Sequence, residues 1–284
     1  MKNLKSRTFA RKLIVSGALL FIASPACFSA EDQKDSGGDD LRSAVQNPIS
    51  SLVSLPFKFT FDFGATNGDA TILNIQPVIP VTVGDWNLVS RLIIPVIDSP
   101  GPVAGIPENP SPAPGNGETG LGDINYSVYF SPVEYGKVIW GVGPSITLNT
   151  ATDDQLGSGK WSAGASAVAL TVPAWGSVGI LGRQLWSFAG DDNRKDVSQF
   201  LLEPFVNYNL SNGWFLLTDM VMTANWEAAS GQVWTVPVGG GAGRVFKIGN
   251  QAINSRLEAY YNVVNPDAAP DWSVSFTFQF LFPR

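Results

Sequence analysis

Two aromatic stripes, one near each end of the mature chain, restrict most strongly what this sequence can fold into. In residues 55–63 and again in residues 272–282, every second residue is apolar, mostly phenylalanine, and the residues between are largely polar. This alternation predicts two β-strands, each with one apolar and one polar face. A phenylalanine-striped edge strand would promote aggregation of a soluble sandwich. A closed barrel avoids the problem because its first strand pairs with its last.

Ten further strands are predicted between the stripes, and many of them contain ten to fourteen residues. Their ranges are 71–83, 86–97, 122–131, 137–150, 161–172, 175–188, 197–210, 214–226, 232–246 and 251–264. Soluble strands most often have about 5–6 residues, whereas tilted transmembrane strands need about 9–11 plus their rims. The sequence therefore predicts an all-β fold, a transmembrane antiparallel up-and-down β-barrel of about 12 strands, over residues 54–284.

The predicted connections alternate between tight turns and loops that are mostly longer and more polar. Outer-membrane barrels combine short periplasmic turns with longer external loops, so both chain ends are predicted on the periplasmic side. The longest connection, 98–121, is rich in proline and glycine. We expect it to be an accessible external loop that tolerates insertions near Asn116, although loops of this length are also used as functional lids.

The N-terminal 30 residues have the features of a signal peptide. Five cations precede an apolar run over residues 13–23, and small residues follow, which is the order found in secretory signals. Eleven apolar residues are too few to span a membrane, which takes about 20. Cleavage is predicted after Ser29 or Ala30, with lipidation of Cys27 as the alternative.

Residues 31–53 are predicted to form a periplasmic N-terminal segment. Its acidic, glycine-rich part through Asp40 is expected to be disordered. One or two helical turns are expected over residues 41–46, ending before Pro48.

Charge and composition exclude several classes of function. Loss of the first 30 residues removes five cations and takes the net charge from −6 to −11, which argues against nucleic-acid binding. The chain contains no histidine, so neither a Ser-His-Asp triad nor a histidine-based zinc site can be formed. We therefore assign no catalytic residue, metal site or cofactor, and we do not expect an enzyme. The acidic pair at 153–154 and the pair at 191–192 with Asp196 are interpreted as solvated loop charges, with Ca²⁺ binding as the alternative.

Eight charged residues are candidate lumen-lining groups. Seven of them fall on the face opposite the apolar one, and the eighth, Arg183, lies in a strand whose phase the pattern does not fix. The eight are Lys58, Asp62, Arg91, Arg183, Glu203, Asp219, Arg256 and Glu258. With Arg183 inward, four cations face four acids, so we predict a narrow, weakly selective pore in which opposite charges pair. Asp219 and Glu203 are the expected partners of Arg256.

Tryptophan and proline positions add two expectations. Eight of the nine tryptophans lie near predicted strand ends, as in the aromatic girdles of membrane barrels. Six prolines lie within predicted strands, where each removes a hydrogen-bond donor and predicts a local irregularity. They are Pro77, Pro80, Pro95, Pro144, Pro204 and Pro237.

Several motifs resemble one bacterial envelope family. They are Asn47-Pro48-Ile49-Ser50-Ser51-Leu52, Leu73–Pro80, Gly120–Ile124, Trp140–Pro144, Ala151–Asp154 with Gly157–Trp161, and Pro204–Asn209. Together they are similar to the outer-membrane proteins grouped as the MetA pathway of phenol degradation, which are described as transporters and sometimes labelled neuromedin U. The resemblance runs from about residue 47 to residue 284. It supplies no catalytic or binding residues, and the C-terminal Phe282-Pro283-Arg284 departs from the aromatic last residue of many barrels.

The resemblance implies a barrel that takes up small molecules, aromatic ones among them. We therefore expect an outer-membrane channel or transporter for small molecules, including aromatic or hydrophobic compounds. The alternative is a non-conducting structural or interaction barrel. The expected partners are outer-membrane lipid, a small-molecule solute and the barrel-assembly machinery, and the expected location is the cell outer membrane.

Overall fold

The computed structural model describes residues 36–283, and nearly all regular structure in that range is β. One helix, α1, covers Ser36–Val45, with side chains described from Leu41 onward. The strand segments are β1 (Val53–Phe63), β2 (Ala70–Ile75), β3 (Val78–Val83), β4 (Trp86–Ser99), β5 (Glu118–Leu121), β6 (Ile124–Pro132), β7 (Ile139–Leu148), β8 (Lys160–Thr171), β9 (Gly176–Gly190), β10 (Ser198–Asn209), β11 (Trp214–Asp219), β12 (Met222–Asn225), β13 (Trp234–Ile248), β14 (Gln251–Val264) and β15 (Trp272–Phe282).

These segments form a closed antiparallel barrel of twelve strands. The pairs β2/β3, β5/β6 and β11/β12 are each two halves of one interrupted strand, because both halves pair with a shared neighbour. Strands β1 and β15 close the barrel in continuous register from Val53 opposite Phe282 to Phe63 opposite Trp272. The predicted fold class and strand number are confirmed, and so is the pairing of the two phenylalanine stripes.

Strand pairing is irregular at most of the in-strand prolines. Breaks or shifts lie beside Pro77, Pro95, Pro144, Pro204 and Pro237. The Pro204 carbonyl, for example, accepts from the Met220 amide at 3.2 Å, where β11 gives way to β12. Pro80 is the exception, because it stays in regular register with Val89.

The outer surface of the barrel is apolar and carries tryptophans near both rims. Large apolar side chains are exposed in mid-strand, among them Val142, Ile180, Val238, Leu257 and Phe276. Near the short turns lie Trp86, Trp140, Trp175 and Trp214, and near the longer loops lie Trp161, Trp186, Trp226 and Trp272, all between 38% and 54% exposed. A soluble protein seldom exposes so much contiguous apolar surface. Over residues 36–283, no helix is long and apolar enough to cross a membrane.

The N-terminal segment fills the barrel at the end that carries the short turns, which we call the short-turn end. Leu41 and Val45 of α1 pack against a buried cluster that includes Phe215 and Leu281, and Ile49 belongs to a second buried cluster with Val89. The helix begins at Ser36, five residues before the helical turns predicted over residues 41–46. The signal-peptide prediction and residues 31–35 lie outside the described range.

Loop 100–117, which we call the lid, folds into the opposite, long-loop end. Val103 and Ile106 of the lid are buried with Ile72 and Leu156. The expectation of an accessible, tolerant loop is therefore wrong for this inner part, because its apolar residues pack against the wall. Asn116, two residues before β5, is exposed.

Candidate functional site: the barrel lumen

The main cavity lies inside the barrel and has a volume of about 220 Å³. Seven of the eight candidate charges line it, namely Lys58, Asp62, Arg91, Arg183, Glu203, Asp219 and Arg256. The alternation of each strand explains this, since residues two apart on a strand share a face. Glu258 does not line the cavity; its side chain is fully buried beside Arg256.

A second cavity of about 130 Å³ lies toward the short-turn end and borders Gln46 and Pro48. The two cavities share seven lining residues, of which five are charged: Lys58, Arg91, Glu203, Asp219 and Arg256. A layer of charged side chains therefore separates the two chambers of the lumen. We call it the charged layer.

The lid forms one wall of the main cavity, and side chains from the rest of the barrel hold the lid in place by hydrogen bonds. Asn74 donates to Glu108 Oε1 at 2.5 Å, and Gln199 donates to the Pro107 carbonyl at 3.2 Å. Asn225 and Arg194 donate to the carbonyls of Pro110 and Ser111, at 2.9 and 2.8 Å. Proline has no N–H of its own to offer, so much of the lid is held through its acceptors. Sequence patterns did not indicate this, because the donors lie on four distant parts of the chain.

The N-terminal segment is fixed at the other end by contacts with the end of β10 and the turn that follows it. Arg42 donates to the Leu210 carbonyl at 2.7 Å, and Gln46 donates to Asn209 Oδ1 at 2.9 Å. Together with the buried side chain of Ile49, these contacts close much of the short-turn end. The lumen is thus occupied from both ends.

Arg256 forms the closest ion pair among the lumen charges. Its Nη1 lies 2.6 Å from Asp219 Oδ2, and its Nε lies 3.8 Å from Glu258 Oε1. Within residues 36–283, neither carboxylate oxygen of Glu258 has a hydrogen-bond partner, and the ion pair with Arg256 compensates its charge. Of the two acids expected to pair with Arg256, the structure selects Asp219.

The other three lumen cations differ from the predicted pairing. Within residues 36–283, Lys58, Arg91 and Arg183 have no carboxylate within the 4.0 Å of a salt bridge. Arg183 donates to Asn125 Oδ1 at 2.9 Å, and Arg91 donates to the Gln76 side chain at 3.3 Å. The expectation that the lumen charges pair is correct for Arg256 and wrong for these three, two of which bind amide side chains instead.

A polar wall formed by β6 and β7 supports Arg183, and sequence reasoning missed it. Asn125 donates to Ser145 and Thr147 at 3.1 and 2.9 Å, and Ser127 donates to Ser145 at 2.8 Å. These small polar residues alternate with apolar ones, as the lumen charges do on their strands, so their spacing in the sequence already indicated that they face the lumen. They orient the Asn125 carbonyl toward the guanidinium.

Acidic side chains hold the loops at the long-loop end in place. Asp123 accepts from the Ser158 amide at 2.8 Å and from the amides of Thr150 and Ala151 at 3.2 Å. Lys160 lies 3.1 Å from Asp196 and, as a hydrogen-bond donor, holds the pKa of that carboxyl below its ordinary value. The described residues contain no group of three or more side chains placed to hold a metal ion.

Comparison with solved structures shows a known barrel fold. The chain is similar to the COG4313 outer membrane channel from Pseudomonas putida F1, with a TM-score of 0.57 and 15% identity, over 89% of this chain and 100% of that one. The chain also gives a TM-score of 0.43 with CdiB from Acinetobacter baumannii, at 9% identity, over 82% of this chain and 60% of that one. This second likeness is too weak to support a shared fold. No protein-family model matches the sequence, and no curated protein does. The chain therefore has the fold of an outer-membrane channel, and the resemblance to the phenol-degradation family stays an expectation.

Proposed function

We propose that this protein is an outer-membrane channel for small solutes. The observation that carries the proposal is the contrast between its two surfaces: an apolar exterior with tryptophans at both rims, and a charged interior that encloses a cavity. A charge facing lipid at the bilayer midplane costs about 2–4 kcal/mol for Arg or Lys, whereas lumen charges tune selectivity. The short turns would then face the periplasm, and the lid would face outward.

The lining favours solutes that are at least partly polar. Charged and amide side chains from most of the strands reach the cavity, and a wholly apolar molecule would have to strip water from them. The aromatic compounds implied by the resemblance fit this lumen when they carry a polar group. Because the lid and the N-terminal segment occupy the two ends, passage requires at least the lid to move.

Uptake into liposomes that contain the purified protein tests the proposal. A variant in which residues 103–113 are replaced by a short Gly-Ser linker serves as the open comparison, since the wall residues that hold the lid are unchanged. We expect slow uptake of phenol-sized polar solutes by the natural protein and faster uptake by the variant. No uptake above empty vesicles by either protein would favour the alternative, a non-conducting structural or interaction barrel.

A further inference from the structure

Two arginines in the main cavity lack, within residues 36–283, the acidic partner that buried arginines normally have. Arg91 and Arg183 both line the cavity, and Arg183 reaches Asn125 on β6, two residues from Ser127, which lies opposite Arg91. A guanidinium has five N–H donors in a planar fork. In the described chain each of these two makes a single hydrogen bond, to Gln76 and to Asn125. Most of their donors are therefore left for whatever occupies the cavity.

Two neighbouring cations repel each other, and an anion between them removes the repulsion. Arginine binds planar carboxylates through two parallel hydrogen bonds, which makes it the usual residue for this task. We propose that Arg91 and Arg183 form a binding site for the carboxylate of a small organic acid. This inference rests on the proposed function, because it names the solute class that the lumen selects.

The surrounding charges limit the ligand to a single negative charge. The cavity also contains Asp62, Glu108 from the lid and Glu203 from β10, each without an ion pair in residues 36–283. Asp123 lines the cavity as well, so these four acids exceed Lys58 and the two arginines by one formal charge, which a monoanion raises to two and a dianion to three. Glu203 and Glu108 line the same cavity as Arg183, and their charges disfavour a phosphate or another dianion.

The apolar neighbours of the arginines supply contact for the rest of the ligand. Ile93 lies two residues from Arg91 on β4, and Leu181 lies two residues from Arg183 on β9, and both line the same cavity. Tyr129 lines it as well. A cavity of about 220 Å³ is below the about 300–1,000 Å³ typical of drug-sized ligands. The site therefore fits an acid the size of benzoate.

Binding of benzoate and of benzamide tests the proposal, because the two molecules have nearly the same shape and differ in charge. Each is titrated calorimetrically into the full chain in nanodiscs, with empty nanodiscs as the blank. The test variants are Arg183→Gln and Arg91→Gln. The control is Arg244→Gln, on an exposed arginine that lies over Trp214 on the outer surface.

We expect benzoate to bind more tightly than benzamide, and each test variant to weaken benzoate binding about tenfold or more, as loss of a charged hydrogen bond does. Arg183→Lys should keep part of the affinity, and Arg244→Gln all of it. Folding of each variant is checked by the different gel mobility of unboiled protein. Equal affinity for the two ligands, or benzoate binding unchanged in both glutamine variants, would overturn the site. Binding without liposome uptake would overturn the channel and leave the site standing.

Discussion

Replacement of Arg256 by alanine tests the energetics of the charged layer. Arg256 lies 2.6 Å from Asp219 and 3.8 Å from Glu258, and the exposed fractions of the three side chains are 21%, 12% and 0%. Loss of one partner from a buried pair costs about 3–5 kcal/mol, because the remaining charge is uncompensated. Here two acids lose their cation. We therefore expect Arg256→Ala to lower the free energy of unfolding by about 3–5 kcal/mol, a large part of a typical 5–15 kcal/mol.

The measurement is urea-induced unfolding in phospholipid vesicles, followed by tryptophan fluorescence. Arg244→Ala is the matched control, because this exposed arginine makes a cation–π contact with Trp214 at 5.4 Å, worth about 0.5–1 kcal/mol. The double variant Arg256→Ala/Asp219→Asn removes one of the two stranded charges. It should be at least about 1 kcal/mol more stable than Arg256→Ala alone, since paired groups are non-additive. A loss for Arg256→Ala no larger than for Arg244→Ala, or strictly additive effects, would refute the reasoning.

Three further predictions concern the scaffold around the lumen. Gly164→Ala should destabilise the barrel by about 1–3 kcal/mol, because the new Cβ would lie 1.8 Å from a carbonyl oxygen of β9. Gly136→Ala, which has open space around it, should be neutral in the same unfolding assay. Asp123→Ala should strand the backbone amides it holds, costing about 1–3 kcal/mol, and hydrogen exchange in that loop should accelerate; unchanged exchange would contradict this. Asp196 should titrate below its ordinary value of 3.8, so its contact with Lys160 is present above that lowered pKa and is lost as the pH falls through it; an NMR titration at or above 3.8 would contradict the contact.

Much of the barrel is predictable from the sequence, because the membrane requires each strand to alternate between apolar residues facing lipid and polar residues facing the lumen. Each strand must present apolar residues to one side, so the two phenylalanine stripes and the inward phase of residues such as Glu203 and Arg256 follow from a period of two. The irregularities beside Pro77 and Pro237 were also predictable, since a missing N–H interrupts the ladder. These are local rules that act within one or two strands.

The contents of the lumen were not predictable, because they depend on contacts between distant parts of the chain. The sequence of the lid is typical of an exposed proline-rich loop, and nothing in it indicates that Asn74, Gln199 and Asn225 donate hydrogen bonds to it. Charge counting placed equal numbers of cations and acids in the lumen, whereas Glu108 of the lid also lines the cavity. It also could not show that Arg91 and Arg183 face the cavity without acids in contact. The two-residue period of a strand determines which face of the wall a side chain lies on. It does not determine which residue lies opposite that side chain across the barrel.

Single-channel recording with a lid that can be locked tests the central claim most directly. Cysteines placed at Glu108 and Asn74, whose side chains meet at 2.5 Å, are joined in planar bilayers by a short bis-methanethiosulfonate cross-linker, which forms a disulfide with each thiol and releases methanesulfinate. If this is a channel whose outer mouth is roofed by the lid, cross-linking should abolish conductance and reduction should restore it. The singly substituted Glu108→Cys protein, treated in the same way, should be unaffected. Conductance that persists unchanged with the lid cross-linked would contradict the account.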